Sequence, residues 1–503
     1  MSFENAENAA EYLLADKDPN QLALRLVNKD HTYPELQNAV NCVAQYLLRQ
    51  PVVKGDRAIL IAENSLFWVA AYLGTLKAGL VSVPLPPSLP SDELDAIVKV
   101  TEARVAFVQA GFLRKHPGVL DDTHLITGLE GLIANSNSDR HPAFPVESND
   151  LAALMFTSGS TGTPRGVMVS HRNIIANTES IIDYLDLTAR DRIMDVLPFH
   201  YCFGASLLHT HLRVGGTIVV DSRFLYPEAV LQRMQATECT GFAGVPSHFQ
   251  ILLRNSTLAK KRFPHLRYVQ QAGGCLAPSF IQELRDALPN TQVFIMYGQT
   301  EATARLSYLP PEHLDRKIGS VGKGIPGVRL SVVNESGAPV HPGETGEIVA
   351  EGENVAAGYW RAPEESALSF RSGKLYTGDL ATVDEDGFIF IVDRAKDMVK
   401  CGGERVSCRK LEEALLAFGG IREAAVIGTP DAVLGEAVEA FVVPRNTECG
   451  IDCEWPRCQT VRAQLNLSCK QHWAPNMVPR QIVVVPELPK SSSGKVLKSR
   501  LRS

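Results

Sequence analysis

Short apolar runs alternate with longer helical patterns through the first 390 or so residues: AILIAEN gives way to FWVAAYLGTLKAG, and VSVPL to SDELDAIVKVTEA. Turn residues bound each run, and the rhythm predicts repeated β and α units around largely buried sheets. Between residues 325 and 394 the texture changes to closely spaced strands, RLSVVNESGAPV, GEIVAEGE and FIFIVD, separated by acidic Gly turns. Within this stretch ATVDEDGFIFIV predicts a hairpin, with Asp386-Gly387 supplying the turn. After Arg394 a compact tail begins with SCRKLEEALLAF, a helix that Ser407 caps and whose Leu411 and Leu415 share a face. Three strands follow it, EAAVIG, AVEAFVVP and RQIVVVPEL. The expected fold is therefore α/β. Residues 1–394 form a large N-terminal domain of layered α/β subdomains plus a β-barrel-like one, and residues 395–503 form a small α+β domain. A chain of 503 residues exceeds what one hydrophobic core usually supports, which agrees with two domains. There is no long linker and no internal repeat, so the joint between the domains is a tight hinge.

Composition narrows the function classes. Hydrophobic residues make up 45% and charged residues 21%, with a formal net charge of -6, values of an ordinary soluble globular chain. That mildly acidic balance gives no reason to expect nucleic acid as a partner, so an anionic substrate has to be met locally. The first twenty residues carry acids early and lack a basic segment leading into an apolar run, and no stretch approaches membrane-spanning length. Ten scattered cysteines fit free thiols in a reducing cytoplasm, the expected location. Cys449, Cys453, Cys458 and Cys469 cluster loosely, without the paired spacing of a structural zinc site.

The most informative segment is LMFTSGSTGTPRGVMVSH, Leu154 to His171. An apolar run feeds into small, hydroxylated and Gly residues, Thr157, Ser158, Gly159, Ser160, Thr161 and Gly162, which let backbone N–H groups and hydroxyls approach a polyphosphate. It lacks the GxxxxGK[ST] pattern of a Walker A loop. The bland alternative is a flexible connector. Further motifs follow in order: AGGCLAP, YGQTEAT, the stretch from Tyr376 to Ser407 that contains Asp379 and Arg394, and SSSGKV near the end.

The loop and these ordered motifs resemble the adenylate-forming superfamily: acyl- and aryl-CoA synthetases, peptide-synthetase adenylation domains and firefly luciferase. The resemblance covers nearly the whole chain. One departure is Arg165, where the family loop usually has Lys; the charge is kept and the geometry changed. The resemblance implies that Tyr297 lies against adenine, Thr300 contacts the α-phosphate and Glu301 helps to hold Mg²⁺, the role that would reconcile a carboxylate with phosphates. Gly273 and Gly274 match the turn beside adenine. Asp379 matches the ribose-binding aspartate and Arg394 its neighbour, although by themselves the two read as a surface salt bridge. Lys396 falls at the family's hinge, the pivot of a mobile C-terminal cap. Lys495 matches the lysine that enters the site during adenylation, where a cation would stabilise the charge that develops as a carboxylate meets the α-phosphate. Gly402 and Gly403 match the glycines that admit a pantetheine arm; a plain turn is the competing explanation.

By the same resemblance LPFHYCFGASLLHTH, GFAGVPSHFQILL and the AGGC turn line an acid pocket, with His200, Tyr201, Phe203, Gly204, His209, His248 and Gly273 as candidate contacts. Any single histidine among them is more commonly a packed, satisfied one. Amino-acid-activating relatives usually carry Asp where Gly204 and Ala205 stand, and a buried ammonium without a counter-charge is costly, so an acid without an α-amino group is expected. The implied activity is ATP-dependent activation of a small to medium carboxylic acid to acyl-AMP, with Mg²⁺, followed by transfer to a pantetheine thiol. CoA is favoured as acceptor, and an acyl carrier protein's phosphopantetheine is the alternative. A luciferase-like oxygenase and a non-catalytic nucleotide-binding homologue are the readings from other classes. Neither nucleic acid nor membrane insertion is expected, and the chain would act as a monomer or homodimer.

Overall fold

The structure is a computed structural model that describes residues 7–116, 118, 120, 123–134, 143–157, 164–395, 397–401, 404–418, 420–431, 433–444, 463, 465–470, 473, 477–490 and 496–501. Among these, two large sheets build most of the N-terminal domain. One has the strand order Lys323–Gly324, Ser307–Leu309, Gln292–Tyr297, Tyr268–Gln271, Gly241–Gly244, Arg192–Asp195, Thr217–Val220, Leu22–Arg25, Asp30–Thr32. Its central pairings are parallel, and the antiparallel ones lie toward its edges. The other runs His124–Ile126, Val105–Val108, Arg57–Ile61, Val81–Leu85, Leu151–Thr157, Arg165–Ser170, parallel except for the last pair.

Parallel strands need helical crossovers that cover both faces, which is why AILIAEN and VSVPL are apolar throughout. The helix Leu66–Lys77 shows the consequence. It is buried continuously from Trp68 to Lys77 and shares one core with Ala58 and Leu60 of the second sheet and Ile193 and Ile218 of the first. A helix apolar on every side has no solvent face, so this one is an internal layer between the sheets. Trp68, fully buried, stacks on Tyr72 at 5.1 Å and meets Phe199 at 5.3 Å.

The expected barrel-like subdomain is an open, antiparallel half-barrel: Val328–Val333, Gly346–Gly352, Lys374–Val383 and Phe370–Arg371 in order, with Ile389–Arg394 also on Lys374–Val383. The ATVDEDGFIFIV hairpin forms, with Val383 paired to Ile389. The Asp384 N–H donates to the Phe388 carbonyl at 3.0 Å, so the connection is the three residues Glu385, Asp386 and Gly387.

The smaller C-terminal domain has its own core, around Val399, Leu411, Leu415, Val426 and Ile482. Its helix Cys408–Ala417 starts where Ser407 accepts the Lys410 N–H, and it buries Leu411 and Leu415. Ile421–Asp431 and Gly435–Pro444 form a long antiparallel pair, to which Gln481–Val484 adds in parallel. Cys449, Cys453 and Cys458 lie outside the described residues, and Cys469 is a buried free thiol. No helix among the described residues is long and apolar enough to cross a membrane.

Burial also sets how stability responds to acid. His171, His200, His211 and His248 are pushed down to about 4, and His209 to about 3, each chiefly by burial. The folded protein therefore keeps these rings neutral, while the unfolded chain protonates them below its ordinary value of 6.5. Their contribution is fully present above pH 6.5 and is lost as pH falls toward 4, by about 1 kcal/mol per ring per pH unit. Asp195 acts in the opposite sense. Burial raises its carboxyl to about 8, so its proton favours the fold at low pH and that contribution shrinks as pH rises toward 8. Five rings outweigh one carboxyl, so the urea midpoint should drop by several tenths molar or more between pH 7 and pH 5. A midpoint that is flat or rising on acidification would show that these rings are not held neutral.

Candidate active site

Four neighbouring parallel strands of the larger sheet, Arg192–Asp195, Gly241–Gly244, Tyr268–Gln271 and Gln292–Tyr297, deliver the loops singled out in the sequence. From their carboxyl ends emerge PFHYCF, VPSH, AGGC and YGQTEAT, so motifs spread over a hundred residues share one sheet edge. Open α/β sheets bind their ligands at such an edge. The half-barrel adds Asp379 and Arg394, which face each other across an antiparallel pair.

Asp379 is the centre of the first cluster. It is 3% exposed; Arg394 Nε donates to its Oδ1 at 2.9 Å, and the Tyr297 hydroxyl donates to its Oδ2 at 2.6 Å. The surface salt bridge that composition alone suggests is thus a buried carboxylate with a half-exposed guanidinium. Burial, then the neighbouring Asp379, pushes the Tyr297 hydroxyl far above its usual range, so it remains a hydrogen-bond donor. Each carboxylate oxygen accepts one bond and retains a second lone pair, which leaves Asp379 able to accept two further donors.

The second cluster joins Glu301 to the strand Arg165–Ser170 through a residue the sequence reading missed. The Tyr359 hydroxyl donates to Glu301 Oε1 at 2.9 Å, and the Arg165 guanidinium lies over the Tyr359 ring at 5.5 Å. Tyr359 is held there by backbone. Val167 bridges to Tyr359, the Met168 N–H donates to the Gly358 carbonyl, and the Trp360 N–H donates to the Gly166 carbonyl. The segment AAGYW has neither strand nor helix periodicity, so only the hydrogen bonding in three dimensions reveals it. Asn354 was missed for the same reason. Its Nδ2 donates to the carbonyls of Ala302 and Arg305, and its own carbonyl accepts from Thr303 Oγ1. These bonds hold Thr303 at φ 61 and Ala304 at φ 146, positive values that non-glycine residues seldom adopt.

Thr157 ends its strand paired with Arg165, so both ends of the Gly/Ser loop are in register, while Ser158, Gly159, Ser160, Thr161 and Gly162 lie outside the described residues. Thr300 is buried in a short turn and its Oγ1 donates to Cys202 Sγ at 3.4 Å. Tyr201 approaches the AGGC turn. A Cβ on Gly273, which has φ +81, would stand 3.2 Å from the Tyr201 hydroxyl, and one on Gly274 3.1 Å from Pro246 Cγ. Gly204 is fixed by packing, because a Cβ there would fall 2.2 Å from the Pro198 carbonyl oxygen. His200 Nε2 is buried and has no partner among the described residues. His248 Nδ1 accepts the Val245 N–H at 3.3 Å, and the ring meets Phe224 edge-on. His209 instead turns to Tyr72, 3.1 Å from Nε2 to the hydroxyl, as a packed histidine.

Lys396, Gly402, Gly403 and Lys495 lie outside the described residues. The flanks of Lys495 are described: Lys490 bridges to Val496, and the Leu497 N–H donates to the Pro489 carbonyl. Lys490 pairs with Glu423 at 2.6 Å, and both line a cleft of about 800 Å³ with His248, Phe224 and Asn64. That cleft is walled by both domains.

Comparison with known proteins follows the same outline. The model of the AMP-binding enzyme family matches residues 14–360, and that of the AMP-binding enzyme C-terminal domain matches residues 410–495. A feruloyl-CoA synthase from Amycolatopsis is 34% identical over 97% of this chain and 96% of its own. Among solved structures, ATP-bound MatB from Rhodopseudomonas palustris superposes with a TM-score of 0.88 at 29% identity, over 99% of this chain and 98% of that one. The o-succinylbenzoate coenzyme A synthetase of Bacillus subtilis, in complex with ATP and magnesium ion, gives 0.86 at 27% identity over 98% and 99%.

Proposed function

Because the chain belongs to the AMP-binding enzyme family and is an AMP-forming acid:thiol ligase, we propose that it activates a small to medium carboxylic acid without an α-amino group and passes it to a thiol, CoA before a carrier protein. The observation that carries this most is the meeting of two clusters at one sheet edge: Asp379 with Tyr297 and Arg394, and Glu301 with Tyr359 and Arg165. One presents a carboxylate with lone pairs to spare for sugar hydroxyls. The other presents a carboxylate and a cation on a single tyrosine, where a polyphosphate and its metal ion would sit.

The donor set suits Mg²⁺. Glu301 is an oxygen ligand that Tyr359 orients, and among the described residues no three His, Cys, Asp or Glu converge on one point. Such a site would hold a cation by one carboxylate, with phosphate oxygens and water supplying the remaining ligands. When bound, the ion neutralises phosphate charge. The residues of this chain do the rest: Asp379 holds the ribose, Thr300 and Arg165 position phosphates, and Lys495 stabilises the charge that builds as the acid's carboxylate attacks. With the large and small domains meeting at residues 394 and 395 and a hinge at Lys396, the Gly402–Gly403 segment would follow Lys495 to the site for thiol attack. Gly204, which excludes any side chain, leaves no carboxylate for an α-ammonium.

Acid-dependent exchange of pyrophosphate into ATP, run over aliphatic and aromatic acids, tests the proposal. Exchange is expected with the acid alone, and thioester only when CoA is added. Thioester on carrier-protein phosphopantetheine but not on CoA would reassign the acceptor. Silence across the panel would leave a nucleotide-binding homologue, and light emission or O₂ uptake would indicate an oxygenase.

A further inference from the structure

Most buried charges in this protein are matched. Lys77 meets Glu11 at 3.1 Å, Asp191 meets Arg267 at 3.0 Å, and Asp221 meets Arg223 at 2.6 Å. Arg305 differs. It is 1% exposed, and among the described residues no carboxylate oxygen comes within 4.0 Å of it. Unlike a buried Asp or His, an arginine cannot relieve the cost by changing protonation state. Its neighbours are neutral: the Tyr184 hydroxyl accepts from the guanidinium, Met296 Sδ accepts from Nε at 3.4 Å, Gln270 Oε1 accepts from Nη2 at 3.5 Å, and the Phe203 ring lies 4.1 Å from the guanidinium carbon.

A second observation points the same way. Gln270 is fully buried, and its Nε2 has no partner among the described residues. The bond its oxygen accepts from Arg305 sets the amide, so two sets of donors lie side by side with more N–H groups than acceptors. An unsatisfied buried donor beside an uncompensated cation is a costly arrangement unless an acceptor-rich anion completes it.

Both residues border loops that the sequence assigns to the acid pocket. Phe203 covers the guanidinium, and next to it in the chain Cys202 accepts from Thr300. The strand carrying Gln270 runs straight into Ala272 and Gly273, and Arg305 closes the turn that begins at Tyr297. Resting on the ligase proposed above, we propose that Arg305 and Gln270 recognise a second anionic group at the far end of the acid, so that the preferred substrate is a dicarboxylic acid. Its reacting carboxylate faces Thr300, and its other carboxylate takes N–H groups of Arg305 and Nε2 of Gln270. The Phe203 ring shifts off the guanidinium to admit it.

Pyrophosphate exchange with mono- and dicarboxylic acids of matched length, aliphatic and aromatic, tests this on the full chain. The wild-type protein should favour the best dicarboxylic acid over its monocarboxylic counterpart by about tenfold or more in kcat/KM. Arg305→Met should remove that preference by about 10- to 100-fold, mainly through KM, and keep or improve use of monocarboxylic acids. Gln270→Leu leaves the arginine in place and should weaken dicarboxylic acids selectively by about 3- to 10-fold, which keeps the test open if Arg305→Met does not fold. A wild-type preference for monocarboxylic acids, or equal losses for both classes in a variant with unchanged Tm, would overturn the inference and leave the ligase standing. No exchange with any acid would overturn both.

Discussion

Lys495→Ala should lower acid-dependent pyrophosphate exchange by about 100-fold or more, yet leave thioester formation from supplied acyl-adenylate within a few-fold of wild type. Adenylation brings a carboxylate against an α-phosphate, two anions whose repulsion is worst at the moment of attack. A cation held between them acts on charge that is greater in the transition state than in the separated reactants, so its removal falls on the rate of that step. Single groups of this kind typically contribute 10²- to 10³-fold. Thiol attack on the finished adenylate joins no such pair of anions, and there Lys495 has little to do. The neighbours favour the assignment. Lys490 and Val496, on either side of the SSSGK segment, are paired to each other, and Lys490 lies on the same cleft as His248. Lys498 provides the control, because it is committed to Glu412 at 2.7 Å. Lys498→Ala should affect stability more than either half-reaction. Equal losses in both half-reactions for Lys495→Ala would refute the role proposed for it.

The regular part of this architecture was legible in the sequence because burial and periodicity coincide there. Parallel strands with both faces covered read as short apolar runs, the helix after Ser407 announces its cap and its apolar face, and the acidic Gly turns of the half-barrel are local signals. Asp379 and Tyr297 each stand in a motif legible in the sequence, but the bond between them is not legible there. They are 82 positions apart, and only the pairing of sheet and half-barrel brings them together. Tyr359 and Asn354 were illegible for a stricter reason: both act from irregular backbone, through hydrogen bonds to segments far away in the chain. Nothing in the local sequence after YGQTEAT singles out Arg305. Its burial against Phe203 depends on how tightly the helix Cys202–Val214 packs, which in turn depends on Gly204 against Pro198.

Glu301→Gln should cost about 100-fold or more in exchange and raise the Mg²⁺ concentration needed for half-maximal rate at least tenfold, with the fold intact. The amide keeps the size of the side chain and can still accept the Tyr359 hydroxyl, so packing around the turn should survive. What it loses is the charge that makes an oxygen a good ligand for a hard dication, and with it part of the balance against the phosphates. Tyr359→Phe separates orientation from charge. It removes the 2.9 Å bond to Glu301 but keeps the aromatic face beneath Arg165, so the loss should be about 3- to 10-fold and should show chiefly as a higher Mg²⁺ concentration needed for half-maximal rate. The two effects act through one carboxylate, so the double variant should be barely worse than Glu301→Gln alone. Additive losses would mean that Tyr359 serves Arg165 or the fold rather than Glu301. A Glu301→Gln variant with wild-type Mg²⁺ dependence would remove this carboxylate from the metal's shell and require another ligand at this edge of the sheet.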